Sequence, residues 1–465
     1  MKNMFVRLKN NKGVALIITF FVISVLLIFL AAFVTVSINQ NITADRYRRR
    51  IQAYNIAEAG LDHGITQLRT FPLPPGGVFG SILWASGLQN LAGGTYNVSI
   101  EHRGAVAGSP GALRYRITST GTFGNISRTL SNNIQVDNFA RYIWFTNSET
   151  FGGTNVWFWA PPGQLPGNPW VGDYLDGETH TNGHFNIYGD PKFDGYASSG
   201  DNYIRFYNNG NNINRSAITN PDPDEPFFEH GVNFAAEKTT MPAQATTLRS
   251  GASTGGLWLT GNTTVLLNSN GTMDITNPTY CSNPLNVCDD APLPANGAIF
   301  VACGGTNCSQ GGSLTISGTL NGQLTVGAQR DIVIPNSIVY ANDPRDDDPI
   351  SHPDLCSDDM LGIISERNVM ITNGAPNDLE IDGCVMAMNT SFERDNYTSG
   401  LRGTLTVYGG IIQKQRGPVG TFNAATGTKV SGYDKNYAYD SRLLLTPPPF
   451  MPTTGDYLTL SWEED

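Results

Sequence analysis

The chain opens on a long apolar run. From Val14 to Ile38 no residue is charged, and only Thr19, Ser24, Thr35 and Ser37 interrupt the apolar side chains. These 25 residues, at about 1.5 Å rise each, span roughly 37 Å as a helix, enough to cross a bilayer core of about 30 Å. A cleaved secretory signal has an apolar region of only about 7–15 residues. The pattern therefore predicts a membrane-spanning helix over 14–38. It continues without Pro or Gly as far as Gly60. Tyr47, Ile51, Tyr54, Glu58, Leu61, Ile65 and Leu68 recur at spacings of three and four, which predicts one apolar seam on a rod reaching residue 70. Glu58 interrupts that seam, either as a solvated or cap-paired carboxylate or as a register-setting contact with a neighbouring helix. The stretch Phe71-Pro72-Leu73-Pro74-Pro75-Gly76-Gly77 ends the helix.

Beyond it the period changes to two. Tyr96–Glu101, Leu113–Thr120 and Ile126–Val136 alternate apolar and polar residues between Gly-containing breaks, predicting a small antiparallel sheet over 71–140. Residues 141–254 read as a Gly- and Trp-rich β region, with Trp144, Trp157, Trp159 and Trp170 close together. Such a cluster serves as packed core or as a platform for carbohydrate. From 255 onward a degenerate repeat appears. Leu314–Gly318, Leu324–Gly327, Ile332–Asn336, Leu379–Gly383 and Leu405–Gly409 share the form apolar, any, apolar, ending at Gly or Asn. Short strands with a corner after each predict stacked rungs that bury their inward residues against one another. The expected fold class is α+β, mainly β: a long N-terminal helix, a small sheet, then a right-handed parallel β-helix or irregular β-solenoid from about 255 to 415. A Pro-rich tail follows to 465, and a β-sandwich is the alternative.

Charge sharpens this layout. Residues 1–70 hold nine Lys/Arg against three Asp/Glu, and the remaining 395 hold twenty against thirty-seven. The acidic part would repel phosphates, so no direct nucleic-acid site is expected. Lys2, Arg7, Lys9 and Lys12 favour a cytoplasmic N-terminus, although Arg46, Arg48, Arg49 and Arg50 pull the other way. The N-in topology places six cysteines, Cys281, Cys288, Cys303, Cys308, Cys356 and Cys384, in an oxidising compartment. Pairing between sequence neighbours is the expectation. Reduced thiols or a zinc site compete with it, but no Cys-x-x-Cys spacing is present.

Two further stretches carry candidate chemistry. In Gly177-Glu178-Thr179-His180-Thr181-Asn182-Gly183-His184 two histidines stand four apart, yet the Gly and Asn residues favour hydrogen-bonded turns over a helical metal site. Asp346, Asp347 and Asp348, with Asp343, Asp354, Asp358 and Asp359, offer oxygen ligands for Ca²⁺ or form an exposed acidic loop. Asp222, Asp224 and Glu225 do so less convincingly. These residues point to no cofactor other than Ca²⁺.

Lys12-Gly13-Val14-Ala15-Leu16, joined to the uninterrupted helix and to Ala57-Glu58-Ala59-Gly60-Leu61, resembles a type IV pilin-like protein, most closely the N-terminal module of PilX-type minor pilins. The resemblance covers about residues 1–70. It implies a leader, residues 1–13, cut after Gly13 by a prepilin peptidase, with Val14 as a methylated mature terminus. Ile18 departs from the family's pattern. Major pilins carry Glu at that place, thought to pair with the terminal amine of the adjacent subunit, and tip pseudopilins resemble this sequence in lacking it. Gly177–Gly183 and Tyr439-Asp440-Ser441-Arg442-Leu443 with Pro447-Pro448-Pro449 also look like a family of pilin-like exported proteins without assigned activity. The implied role is a minor subunit of a pilus or pseudopilus, at its tip or its side, supporting assembly, adhesion or DNA uptake and not an enzyme. Its implied partners are a major pilin, other minor pilins and the inner-membrane assembly platform. The chain would lie in a bacterial inner membrane before assembly and at the cell surface after it. A membrane-anchored β-helix enzyme acting on polysaccharide and a non-fibre envelope protein are the alternatives. Against the enzyme, the basic residues it would need (Arg330, Arg345, Arg367) are sparse.

Overall fold

The computed structural model describes residues 12–71, 74–161, 171–208, 211–216, 227–305, 308, 311–345 and 357–464. Its first element, α1, runs unbroken over Lys12–Arg69, 58 residues. The three hydroxyls at Thr19, Ser24 and Thr35 each donate to the carbonyl four residues back, at 2.8 Å. That leaves their polar atoms satisfied within the helix. Asp45, the first carboxylate after the apolar run, accepts from Arg48 at 3.0 Å and from Arg49 at 2.7 Å.

Compact contacts divide the chain into two units. One comprises Met1–His102, Tyr115–Asn133 and Thr459–Asp465, the other Arg103–Arg114 and Ile134–Leu458. In the first, the lower half of α1 packs on a sheet through only part of the seam of large side chains, Leu61 and Leu68 being buried. Its buried residues are Ala53, Ile56, Ala57, Gly60, Leu61, Gly64 and Leu68, while Tyr47, Ile51 and Glu58 are exposed. The reason is backbone proximity. A Cβ on Gly121 of the sheet would lie 2.3 Å from the Ala53 carbonyl oxygen and 2.4 Å from the Ala57 nitrogen. Only small residues permit that approach, so Ala53 and Ala57 face inward there, beside the buried Ile56, Leu61 and Leu68, while Tyr47 and Ile51 turn outward.

The sheet itself is a meander. Strands Gly94–Val106, Ser109–Phe123 and Ile126–Asn138 follow one another through two-residue turns. Gly108 (φ +75°) and Gly124 (φ +63°) supply the left-handed backbone such turns need. Ile82–Ala85 and Gln89–Leu91 pair antiparallel with the first of these strands. The C-terminal segment, expected as a tail, instead ends in a strand, Thr453–Glu464, that extends the same sheet.

The second unit is built from parallel ladders, which favours the stacked-rung reading over the sandwich. One ladder joins Leu257–Thr260, Ala298–Ala302, Gln323–Ala328, Met360–Ser365, Leu379–Ala387 and Leu401–Gln415 in sequence order. It does not stop there. Leu401–Gln415 pairs in parallel with Trp144–Ser148, which pairs with Thr179–Thr181, then Ala197–Ser199, then Val232–Phe234. The regions 141–254 and 255–465, expected as separate, are thus one stack. The chain enters it midway, climbs to one end at residue 234, and then restarts at the other end at residue 257. Helix α2 (Thr246–Ser253) lies within the connecting segment.

Register accounts for the core. Ile299, Val326, Ile363, Val385, Ile411 and Trp144 are successive partners and form one inward column. Their neighbours Phe300, Ile364, Met386, Ile412 and Phe145 point to the opposite face, where Leu248 of α2 and Leu443 cover them. Strands buried on both faces read as continuous apolar runs, as Met360–Ile364 does. The corners repeat too. Gly383 (φ +143°) is paired with Gly409 (φ +145°), where a Cβ would meet the Gly383 carbonyl oxygen at 2.2 Å.

Candidate functional site

At the start of α1, Gly13 and Val14 lie exposed at the first described turns, and Ile18 is exposed a turn later. No residue of the most apolar 18-residue window is buried, and the helix is long and apolar enough to cross a membrane. Every side of that half is therefore available to lipid or to another helix.

The other sequence candidates separate. Glu178 is held by Arg141 at 2.8 Å. His180 is buried, with Nδ1 at 2.7 Å from the Ser198 hydroxyl and Nε2 at 2.9 Å from Asn182 Oδ1, and its ring stacks on Phe145. Burial lowers its pKa below the usual histidine value, which keeps the ring neutral. His184 faces different partners: its Nδ1 lies 3.0 Å from Asp201 Oδ2, and its ring stacks on Tyr203. The stretch is a hydrogen-bonded column on the ladder.

Disulfides join Cys281 to Cys288 and Cys303 to Cys308. The third expected bridge is corrected. Cys384 is a free thiol buried beside α2's core, in a strand whose both faces are covered. Its expected partner Cys356 lies outside the described residues, as do Asp346, Asp347, Asp348 and Asp354 of the Ca²⁺ candidates, the whole Asp222–Glu225 cluster and Trp170. Of the flanking acids, Asp343 is engaged by Arg345 at 2.7 Å. Asp359 accepts from the backbone of Gly322 and Asn342. Among the described residues no group of three His, Cys, Asp or Glu is placed to hold a metal ion.

The tryptophan cluster divides in a way the sequence did not reveal. Trp144 is core, stacked 6.1 Å from Tyr437. Trp157 and Trp159 are half-buried and line a cavity of about 410 Å³, within the roughly 300–1,000 Å³ of small-molecule sites. Trp159 stands in a short strand, Phe158–Trp159, its indole Nε1 donating to the Gly427 carbonyl at 3.1 Å and its ring stacked on Phe422. Tyr397 and Phe151 line the same cavity and meet edge to face.

Its floor is charged and almost dry. Arg416 donates to Glu149 at 3.0 Å and lies 3.4 Å from Asp173. Lys435 reaches Asp173 at 2.7 Å. The Arg416 guanidinium carbon lies 3.6 Å from the Phe158 ring centre, a stacked cation with little water around it. Glu149 also accepts from the Trp144 indole at 3.2 Å, and Asp173 from the Trp159 backbone at 3.1 Å. Burial lowers the Lys435 pKa and Asp173 pulls it back. Two cations and two carboxylates cancel. The four residues are scattered over 149–435 and are united by the pairing of strand Leu401–Gln415 with Trp144–Ser148 and with Thr428–Ala438, which in turn pairs with Tyr174–Asp176. Nothing local in the sequence marked Arg416, which follows the polar run Gln413-Lys414-Gln415.

No protein-family model matches this sequence, and no curated protein does. Among solved structures it is similar to the competence-associated pilin ComZ from Thermus thermophilus. The two share 11% identity over 90% of this chain and 97% of that one, with a TM-score of 0.31. At that level of similarity nothing carries over from one chain to the other.

Proposed function

We propose that this chain is a minor subunit of a type IV pilus or pseudopilus, anchored in the inner membrane before assembly and displaying its β-rich units at the fibre surface afterwards. The observation that carries the reading is α1. Its first half exposes apolar side chains around the whole circumference, and its second half buries a small-residue stripe against its own sheet while Tyr47 and Ile51 stay outside. A rod of that kind suits transfer from lipid into a bundle of similar helices. Prepilin peptidase would cut after Gly13 and leave Val14 as the methylated terminus. Ile18 carries no charge that needs an amine from a subunit above it, which suits a tip position. Major and minor pilins and the assembly platform are the partners of this reading, and it assigns the chain no catalytic step.

N-terminal sequencing of the exported protein tests it. The expected first residue is Val14, and Gly13→Leu is expected to hold the protein in the inner membrane. A mature terminus near Ala44 would leave the plain anchored-envelope alternative standing instead, and Gly13→Leu protein recovered in sheared fibres would remove the role of cleavage after Gly13.

A further inference from the structure

We infer that the cavity between Trp157, Trp159 and Tyr397 is a binding site for a neutral saccharide. Three observations point to that class of ligand, and none depends on whether the chain enters a fibre. First, the walls are aromatic. Trp157 and Trp159 are half-exposed where they line the cavity, and Tyr397 adds a further ring. A pyranose presents an apolar C–H face that packs on such rings and a polar edge of hydroxyls. Second, the floor offers strong hydrogen-bonding groups without net charge. Arg416 and Lys435 are balanced by Glu149 and Asp173. At the rim Lys429 and Asp434 cancel again at 2.6 Å. Ionised donors and acceptors in fixed geometry suit vicinal hydroxyls, each of which both donates and accepts.

Third, the alternatives fit worse. An anion would meet Asp173 as soon as it met Arg416, and a cation would meet Lys435. A purely apolar ligand would strip water from Lys429 and Asp434 at the rim and return no hydrogen bonds. A sugar satisfies both the rings and the floor. The volume, about 410 Å³, accommodates a mono- or disaccharide unit at the end of a longer glycan.

The test is a titration of the full-length protein, held in a detergent without a sugar headgroup, with maltose, cellobiose, lactose and N,N′-diacetylchitobiose. Tryptophan fluorescence is followed at low and high salt. At least one disaccharide is expected to bind saturably, with an affinity unchanged by salt because the ligand carries no charge. Trp157→Ala is expected to weaken that binding at least tenfold while the far-ultraviolet circular dichroism stays as in the parent. Tyr397→Ala gives the same reading from another wall should Trp157→Ala lose its fold. Binding of none of the four sugars overturns the inference. So does binding that survives both substitutions, and so does a site that takes only heparin or an oligonucleotide and releases it as salt rises.

Discussion

Arg416 and Glu149 stand 267 positions apart in the chain and meet at 3.0 Å, each with only 1% of its side chain exposed. They lie just beyond the ends of two paired strands of the stack, Leu401–Gln415 and Trp144–Ser148. Removing one partner strands the other charge in a site without water, at a cost of about 3–5 kcal/mol. Glu149→Ala and Arg416→Ala should each lower the urea midpoint markedly. The double replacement Glu149→Leu with Arg416→Met should recover much of the loss, because no unpaired charge remains. Double-variant losses equal to the sum of the singles would mean that the two residues act independently.

The contact between Gly121 and Ala53 governs the first unit. A Cβ at Gly121 would meet backbone atoms of α1 at 2.3–2.9 Å, and backbone cannot swing aside as a side-chain end can. Gly121→Val is expected to cost at least the ~1–3 kcal/mol typical of overpacking and to free the lower half of α1. Limited proteolysis reads this out as faster cleavage at Arg69. Glu58→Ala, on the exposed face of the same helix, should leave stability within about 0.5 kcal/mol. A large loss there would restore Glu58 as a structural contact.

These residues also show what could be read from the sequence. The rod was legible because its cause is local: no charge from Val14 to Ala44 and no Pro or Gly from Val14 to Ala59. Which face it buries was not. Periodicity favours large residues and marked Leu61 and Leu68, which are buried, together with Tyr47 and Ile51, which are exposed; it passed over Ala53, Ala57 and Gly60, where the sheet comes closest. The stacked rungs at 314–409 announced themselves through recurring corners such as Gly383 and Gly409. The short strands at 144–234 carried no such repeat, and their place on the stack is set by partners far along the chain. The cavity was hidden for the same reason. Trp157 and Trp159 could be noticed, but nothing local tied them to Arg416 or Lys435.

Cys384 gives a chemical prediction. It sits within the stack with both faces of its strand covered. Burial raises the thiol pKa well above the usual cysteine range, so almost no thiolate exists near neutral pH. Iodoacetamide should leave Cys384 unmodified in the native protein and alkylate it after denaturation without reductant. Peptide mapping under the same conditions should recover Cys281 linked to Cys288 and Cys303 linked to Cys308. Fast labelling of Cys384 in the native state would mean that the stack opens there.

Asp382 makes stability depend on pH. Its side chain is 1% exposed and its carboxyl is pushed up to about 7. Burial is the first cause, opposed by the Tyr340 backbone N–H at 3.0 Å and by Arg345 at 3.4 Å, and reinforced by Glu380 and Asp343. An unfolded aspartate titrates near 3.9, so between pH 4 and pH 7 the folded protein holds a proton that the unfolded chain has released. The stabilisation from this group is complete below about pH 4 and is lost as pH rises through 7. Asp382→Asn keeps an oxygen to accept from Tyr340 and has no charge to desolvate. The variant should therefore gain on the parent as pH increases from 5 to 8, by up to a few kcal/mol at the upper end. Parallel melting curves for the two proteins across that range would mean that Asp382 is already ionised in the fold, with Arg345 outweighing burial.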